Sequence, residues 1–198
     1  MALNDNLFWR RLHSFAGAAP LGGFLVFHLY ENSYAILSPS TYDEHVRALR
    51  SLPYLHVMEV SLIFTPLAFH SLYGLYVWYT GKNNFPLQPY ARNGLYLMQR
   101  LTGLVALVFI CYHIYDQRLQ PMPSFSSVAT SVSDKAVLLL YAVGIAACAL
   151  HLFNGLWNAL VKWGVTIGAR SQQAALAGCS LLGVGLVVVG LRALKAFM

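Results

Sequence analysis

The chain has 198 residues, of which 58% are hydrophobic and only 10% are charged, and its mean hydropathy is +0.55. A soluble domain carries roughly 25% charged residues, so this composition excludes a soluble globular protein and indicates an integral membrane protein. The net charge of +6 is expected at the ends of membrane spans, facing lipid headgroups or a partner subunit, and does not indicate binding of nucleic acid.

Five long apolar stretches are sufficient to cross about 30 Å of hydrocarbon at about 1.5 Å per helical residue. They predict five transmembrane helices within a single membrane domain, residues 1–198. The predicted spans are residues 12–30, 55–80, 94–115, 136–162 and 171–194. We expect an all-α integral membrane fold whose helices alternate in direction, so that the two termini lie on opposite faces.

The connection after the first span has a helix signal of its own. Within residues 38–44, a hydroxyl residue is twice followed three positions later by an acid, and such a pair can cap a helix N-terminus. Tyr42, Val46 and Leu49 would then share one face. We predict a short interfacial helix on the membrane surface, with a capped loop as the alternative.

Two further connections are predicted to be loops because they are rich in turn-forming residues. The first is Gly-Lys-Asn-Asn at 81–84 with Pro86 and Pro89, and the second is residues 121–133, rich in Ser and Pro. The N-terminus is predicted to be cytoplasmic, because Arg10 and Arg11 immediately precede the first span and the first helix usually dominates topology.

One histidine lies in each of the first four spans, at His28, His70, His113 and His151. Histidine is costly in lipid and is a common ligand of haem iron, so one per span suggests two bis-histidine haem sites in the bundle. For any one of them, a polar cross-link between helices is the alternative.

The depth of each histidine along its helix predicts which ones pair. His28 and His113 lie ~24–27 Å along helices that enter from the N-terminal face, so both are expected near the far face. His70 and His151 lie ~22–24 Å along helices that run the other way, so both are expected near the N-terminal face. Each of the two pairs could hold one low-spin haem b.

Haem propionates need cationic or hydrogen-bonding partners at the membrane boundary. His13 and Ser14, beside Arg10 and Arg11 where the first helix leaves the N-terminal face, offer such groups. An ordinary positive-inside anchor is the alternative, above all for Arg10.

Motifs distributed over nearly the whole chain carry a family resemblance. They are Arg-Arg-Leu-His-Ser at 10–14, residues 22–28, Ser-Leu-Pro at 51–53, residues 69–76, Lys-Asn-Asn at 82–84, Gln-Arg-Leu-Thr-Gly at 99–103 with His113, residues 151–157, Lys-Trp-Gly at 162–164 and Arg-Ser-Gln at 170–172. In this order they resemble the dihaem cytochrome b subunit of succinate:menaquinone oxidoreductases and quinol:fumarate reductases.

The resemblance implies two haem b groups with the same histidine pairs, His70 and His151 proximal to an iron–sulfur subunit, His28 and His113 distal from it. It also implies residues near the haem propionates. With the basic residues of the same face, the propionate candidates are His13, Ser14, Arg10, Arg11, Gln99, Arg100 and Lys162.

The resemblance further implies a flavoprotein subunit and an iron–sulfur subunit on the cytoplasmic face of a bacterial inner membrane. FAD and iron–sulfur clusters would belong to those partners, because this chain has no Gly-x-Gly-x-x-Gly fingerprint and no cysteine cluster. Its own expected task is electron transfer to or from menaquinone, in the tricarboxylic acid cycle or in anaerobic respiration. The direction is left open. Gly178, Gly183 and Gly185 of the fifth span are expected to face lipid and suggest close helix contacts, which leaves a dimer of heterotrimers open as well.

Quinone chemistry needs protons, so an acidic side chain is expected near the distal pair. Glu59 lies 11 residues before His70, ~16 Å toward the far face, and is the first candidate. Glu31 and Asp116, each three residues beyond a distal histidine, are weaker ones. A solvated carboxylate at a helix end is the alternative for Glu59.

One position departs from the pattern of some fumarate-reducing relatives, which carry a glutamate two residues before the fourth ligand. This chain has Ala149 there. We therefore expect that proton movement through this position does not compensate the charge that electron transfer carries across the membrane. Two other functions remain as alternatives: a dihaem cytochrome b that serves a different dehydrogenase, and a non-haem transporter with a histidine relay.

Overall fold

The computed structural model describes residues 3–81, 90–119 and 123–198. The described residues form helices and turns but no β-strand, which confirms the predicted all-α fold. The Lys-Asn-Asn motif at 82–84, Pro86, Pro89 and Pro121 lie outside these ranges.

The α-helices of the described residues are α1 (Leu3–Ala16), α2 (Gly22–Ser33), α3 (Pro39–Arg50), α4 (Leu55–Glu59), α5 (Thr65–Thr80), α6 (Ala91–His113), α7 (Phe125–Val132), α8 (Lys135–Lys162) and α9 (Ala169–Ala196). Three π-helical turns (Gly17–Leu21, Val60–Phe64 and Ile114–Arg118) and one 3₁₀ turn (Tyr34–Ile36) lie between or after them.

Within the described residues, five continuous helical segments are long and apolar enough to cross a membrane. They are Leu7–Ile36, Leu55–Thr80, Ala91–Arg118, Lys135–Lys162 and Ala169–Ala196. The predicted number of spans is confirmed, and the helices that contain the first, third and fifth predicted spans extend beyond the predicted limits. Charged residues mark where the apolar, lipid-exposed part of a helix ends, but the backbone hydrogen bonds of the helix can continue past them into the membrane interface.

Each of the first three spans contains a π-helical turn. Pro20 lies inside the turn Gly17–Leu21, and Pro66 follows the turn Val60–Phe64 at the start of α5. Proline lacks the amide hydrogen that an α-helix uses, and a π turn accommodates the lost bond. The third turn, Ile114–Arg118, starts immediately after His113. The three π-helical turns are therefore close in sequence to the candidate site residues Ser14, Glu59 and His113, respectively.

The predicted interfacial helix is present as α3, but its cap differs from the prediction. The hydroxyl of Ser38 accepts a hydrogen bond from the amide of Thr41 at 3.1 Å, and Pro39 occupies the first helical position, where its fixed φ suits a helix start. The acid Asp43 instead accepts from the backbone amide of Phe125 at 2.7 Å. The helix therefore begins before both predicted hydroxyl–acid pairs.

Residues 121–133 do not form the predicted loop throughout, because Phe125–Val132 is the helix α7. Ser124 and Ser127 form a capping box at its N-terminus, and Val128 and Val132 are buried. The serine content suggested a loop, but apolar residues at helical spacing decide the structure. The helix packs with α3 at the far end of the bundle, where Tyr42 contacts Phe125 and Phe197.

Helix α8 lies at the centre of the bundle, packed mainly against α6 and α9, while α1 packs against α5 and α2 against α9. Glycines allow the closest approaches: Gly144 faces the Phe109 ring, and Gly183 faces Phe153. Gly183 is buried, so its interpretation as a lipid-facing glycine is wrong. Nothing lies within 4 Å of the positions that a Cβ of Gly178 or Gly185 would occupy.

Candidate functional site

The four histidines of the first four spans form two separate pairs. The rings of His28 and His113 have centroids 5.6 Å apart, and those of His70 and His151 are 6.0 Å apart. These are the pairs that helix direction predicts. We call His70 and His151, at the N-terminal end of the bundle, the near pair. His28 and His113, at the other end, are the far pair.

Backbone carbonyls orient both imidazoles of the near pair. His70 Nδ1 lies 3.0 Å from the carbonyl oxygen of His13, and His151 Nδ1 lies 3.0 Å from that of Gln99. Since a carbonyl only accepts, each Nδ1 carries the hydrogen and each Nε2 keeps its lone pair. This second hydrogen bond is the usual way in which a protein fixes the tautomer of a metal-binding histidine.

Glycines leave the space that the near-pair rings occupy. A Cβ at Gly17 would overlap the His70 ring, and a Cβ at Gly103 would lie 2.8 Å from His151 Cε1. A third glycine, Gly74, would place its Cβ 3.3 Å from His13 Nε2. Any larger residue at the first two positions would move a ring, so the sequence at these positions keeps both imidazoles where they are.

Two buried polar atoms beside the near pair have no hydrogen-bond partner within the described residues: His13 Nε2 and Gln99 Oε1. The His13 ring stacks on His70 with centroids 4.1 Å apart and planes 3° apart. The Gln99 amide contacts His151 Nε2 at 3.2 Å. A buried polar atom without a partner is costly, so both atoms point to a polar group that the described residues do not supply.

The other propionate candidates have different surroundings. Arg10, Arg11 and Lys162 are exposed, and Ser14 is half-buried. Phe15 on α1 stacks against Trp163 with ring centroids 6.2 Å apart, which brings the start of the first span beside the end of α8. The structure therefore gathers these basic groups at the same end of the bundle as the near pair.

The guanidinium of Arg100 is engaged by the end of α5. It donates to the carbonyl oxygen of Gly81 at 3.1 Å and to that of Trp78, and it lies 5.3 Å from the Trp78 ring centroid. Arg100 therefore supplies donors to carbonyls that the helix leaves unpaired, an anchoring role that the sequence analysis did not identify.

Glu59 and Glu31, two of the quinone-site candidates, contact basic side chains at the far end of the bundle. Glu59 accepts two bonds from Arg118, at 2.6 and 3.1 Å, in the fork geometry that arginine favours. Glu31 pairs with His45 at 3.2 Å. Because Arg118 lies in the turn that follows His113, this pairing joins the start of the second span to the end of the third.

The third candidate, Asp116, is joined to the far pair through a tyrosine. The hydroxyl of Tyr141 donates to Asp116 at 2.6 Å and lies 3.3 Å from His113 Nδ1. Sequence analysis missed Tyr141, although a buried tyrosine in the apolar α8, ten residues or ~15 Å before His151, lies at the depth of the far pair. His28, the other histidine of the far pair, packs on Phe24 at 5.2 Å between ring centroids. Its Nε2 atom lies 3.4 Å from the amide nitrogen of Asn32.

Asn154 is another polar residue that the sequence analysis did not single out. It is fully buried and donates to the carbonyl oxygen of Leu95 at 2.7 Å. This bond joins α8 to α6 beside Gln99 and thereby helps to hold the two helices that carry the near pair.

The donor set fits haem iron better than a bare metal ion. Among the described residues, no group of three or more His, Cys, Asp or Glu side chains could hold a metal ion. Paired imidazoles suit a haem, which takes only two axial ligands from the protein. Ring centroids 5.6 and 6.0 Å apart bring the two imidazoles of each pair close together, as two ligands of one group must be.

Comparison with known proteins gives two findings. The sequence profile of the family described as succinate dehydrogenase/fumarate reductase transmembrane subunit matches residues 87–191. The chain is also 36% identical over 202 aligned residues to the succinate dehydrogenase cytochrome b558 subunit of Bacillus subtilis (strain 168), and the alignment covers 100% of both chains.

Proposed function

This chain belongs to the family of succinate dehydrogenase/fumarate reductase transmembrane subunits, and from that premise we propose that it passes electrons through two haem b groups between an iron–sulfur partner subunit and menaquinone. It is a membrane cytochrome b subunit of such a complex. The dicarboxylate chemistry would take place in a flavoprotein partner, because this sequence lacks a flavin fingerprint.

The observation that carries the proposal is the separation of the four histidines into two pairs at opposite ends of one bundle. In the near pair both imidazoles are oriented through Nδ1 by backbone carbonyls, and in the far pair His113 is oriented by Tyr141. When bound, each haem would accept and release one electron. Two such groups at two depths would connect the two faces of the membrane.

His13 and Gln99 are the first choice for binding the propionates of the proximal haem. His13 Nε2 is buried without a partner and can donate a hydrogen bond when it carries the hydrogen. Interchanging the nitrogen and oxygen of the Gln99 amide would place a donor at its unpartnered position. Lys162, Arg10, Arg11 and Ser14 would add charge and hydrogen bonds at the same end. Arg100 is a weaker choice because its donors serve α5.

Menaquinone would react near the distal haem, where protons from the far side are accessible. Glu59 is the first candidate for proton transfer, and Asp116 and Glu31 are weaker ones. Glu59 is only partly exposed, with 17% of its side-chain surface accessible. Replacing Glu59 by Gln should lower quinone-linked turnover at least about tenfold while succinate oxidation with an artificial dye persists. Unchanged quinone-linked turnover would eliminate this residue.

The near end, where the first span begins at Arg10 and Arg11, is proposed to face the cytoplasm of a bacterial cell. The flavoprotein and iron–sulfur subunits would dock on this end, so that electrons enter or leave at the proximal haem. A dimer of such heterotrimers remains a proposal for the complete assembly.

The decisive test is the haem content of the purified complex. We expect a reduced-minus-oxidised spectrum and a pyridine haemochrome assay to give two haem b per copy of this chain. One haem would contradict the two-pair arrangement, and none would favour the transporter with a histidine relay. Retention of the haems in complex with a dehydrogenase other than the succinate or fumarate enzyme would favour the other cytochrome b alternative.

A further inference from the structure

The two histidine pairs differ in what holds their imidazoles. His70 and His151 both place Nδ1 against backbone carbonyls, which are neutral. His113 places Nδ1 3.3 Å from the hydroxyl of Tyr141, and that hydroxyl lies 2.6 Å from Asp116 Oδ2. The far pair is therefore connected to an acidic side chain, whereas the near-pair anchors are neutral.

The hydrogen bonds around Asp116 determine the direction of this connection. Asp116 accepts from Gln117 at 2.8 Å and from Ser131 at 3.0 Å, in addition to Tyr141. Three donors around two oxygens are the environment of a carboxylate, which only accepts. Tyr141 must then donate to Asp116, so its oxygen is left to accept from His113 Nδ1, and His113 keeps its Nε2 lone pair.

The elements around this chain of bonds make it rigid. Tyr141 is buried, with 5% of its surface exposed, and its ring packs edge-on against Phe109, whose own ring fills the space above Gly144. Asp116 lies in the π-helical turn that follows α6, and Ser131 belongs to α7. The turn, α7 and α8 thus meet at Asp116 and hold it beside Tyr141.

We infer that Tyr141 and Asp116 are positioning residues that orient His113 and lower the midpoint potential of the distal haem; this inference rests on the proposed haem function. A hydrogen bond from Nδ1 toward a carboxylate-linked oxygen makes an imidazole a more basic ligand, and a more basic ligand stabilises the ferric over the ferrous iron. The negative charge of Asp116 acts in the same direction, because it favours the more positive oxidised haem.

The test compares the redox titration of the purified complex with that of two variants. In Tyr141→Phe the hydroxyl is removed and the ring is retained, and in Asp116→Asn the charge is removed and the size is retained. We expect both variants to raise the midpoint potential of one haem and to change its low-spin electron paramagnetic resonance signal. The other haem should titrate as in the unmodified complex.

Tyr112→Phe is the matched control. Tyr112 precedes His113, its ring lies 6.4 Å from that of Tyr141, and its hydroxyl has no side-chain hydrogen bond to the residues that the structure describes. Loss of this hydroxyl should leave both potentials unchanged. An equal shift in the control would show that any nearby phenol matters and would overturn the inference.

The remaining outcomes are also decisive. If both haems are present and neither variant shifts a potential or a resonance signal, Tyr141 and Asp116 do not tune the haem and the inference fails. If Tyr141→Phe does not assemble, Asp116→Asn decides by the same criteria. An unmodified complex without two haems would instead refute the proposed function, so the two failures are distinguishable.

Discussion

Glycines beside imidazoles show at the scale of single residues how closely the near pair is enclosed. Gly17 lies against His70 and Gly103 against His151, and each ring is held at Nδ1 by a carbonyl from the neighbouring helix. Side-chain packing and one hydrogen bond thus determine each orientation together. Because the rings cannot turn away, substitutions at these positions should affect one haem and leave the other in place.

Separate His28→Ala and His70→Ala variants test the pairing itself. Each substitution removes one axial ligand, so each complex should lose about one of two haems, and the lost haem should differ between the variants. Redox titration and low-temperature spectra of the purified complexes distinguish the two haems. Loss of the same haem in both variants would contradict the pairs His28 with His113 and His70 with His151.

Gly103→Ala should also cost the complex the proximal haem. The new Cβ would lie 2.8 Å from His151 Cε1, so the imidazole would have to shift from its position beside Gln99. We expect the haem content to fall from two toward one per chain. Gly185→Ala is the matched control, because nothing lies within 4 Å of its Cβ position, and it should retain both haems. Full haem content in Gly103→Ala would show that the ring adjusts without loss of binding.

At the scale of elements, short helices close the far end of the bundle. Helix α3 is tied to α7 by the bond from the Phe125 amide to Asp43, and Tyr42 fills the space between α3, α7 and the end of α9. Burial beside Asp43 raises the pKa of Tyr42 to about 12, so its phenol stays neutral at physiological pH and adds no charge to this apolar contact.

Replacing Tyr42 by Ala should therefore destabilise the far end. Truncation of a buried aromatic side chain costs about 3–5 kcal/mol, so we expect a lower Tm for the solubilised complex. Thermal unfolding followed by circular dichroism measures this change. Leu37→Ala, in the same connection but 70% exposed, should change the Tm little. Equal Tm values for the two variants would show that the contact contributes no stability.

At the scale of the whole molecule, the helices separate the two ends of the proposed electron path. Ala149, the position at which some relatives have a glutamate, is completely buried and packs with Leu29 and Leu186. Residues 136–161 of α8 contain no acidic side chain. A compensating proton path of the kind that a glutamate provides would need an acidic side chain there, so we expect electron transfer across the membrane to move net charge.

Turnover should consequently respond to the membrane potential. Moving one charge across the full membrane costs or releases about 2.3 kcal/mol per 100 mV, which is sufficient to change the rate severalfold. Purified complex in sealed vesicles should build a potential during quinone-linked turnover, or change its rate when a potassium gradient imposes one. A protonophore should remove the effect. Absence of both responses would show that protons accompany the electrons by another route.

Much of the candidate site follows from patterns along the chain. Span number depends on apolar length, and the grouping of His28 with His113 depends only on helix direction and rise per residue. Positions such as Gly17, Tyr141 and Arg100 could not be assigned in this way, because their partners are 53, 28 and 22 residues distant or belong to other helices. Local patterns carry no information on which face of a helix meets which neighbour.

The sequence by itself determined the membrane class, the five spans and the motifs that mark the family, because hydropathy and motif order are properties of the chain alone. Only the tertiary structure decided that α7 packs against α3, that Arg100 supplies donors to the end of α5, and that Asp116 reaches His113 through Tyr141. These features depend on packing between helices that are distant in sequence, where side-chain contacts and the pairing of buried polar groups determine the outcome.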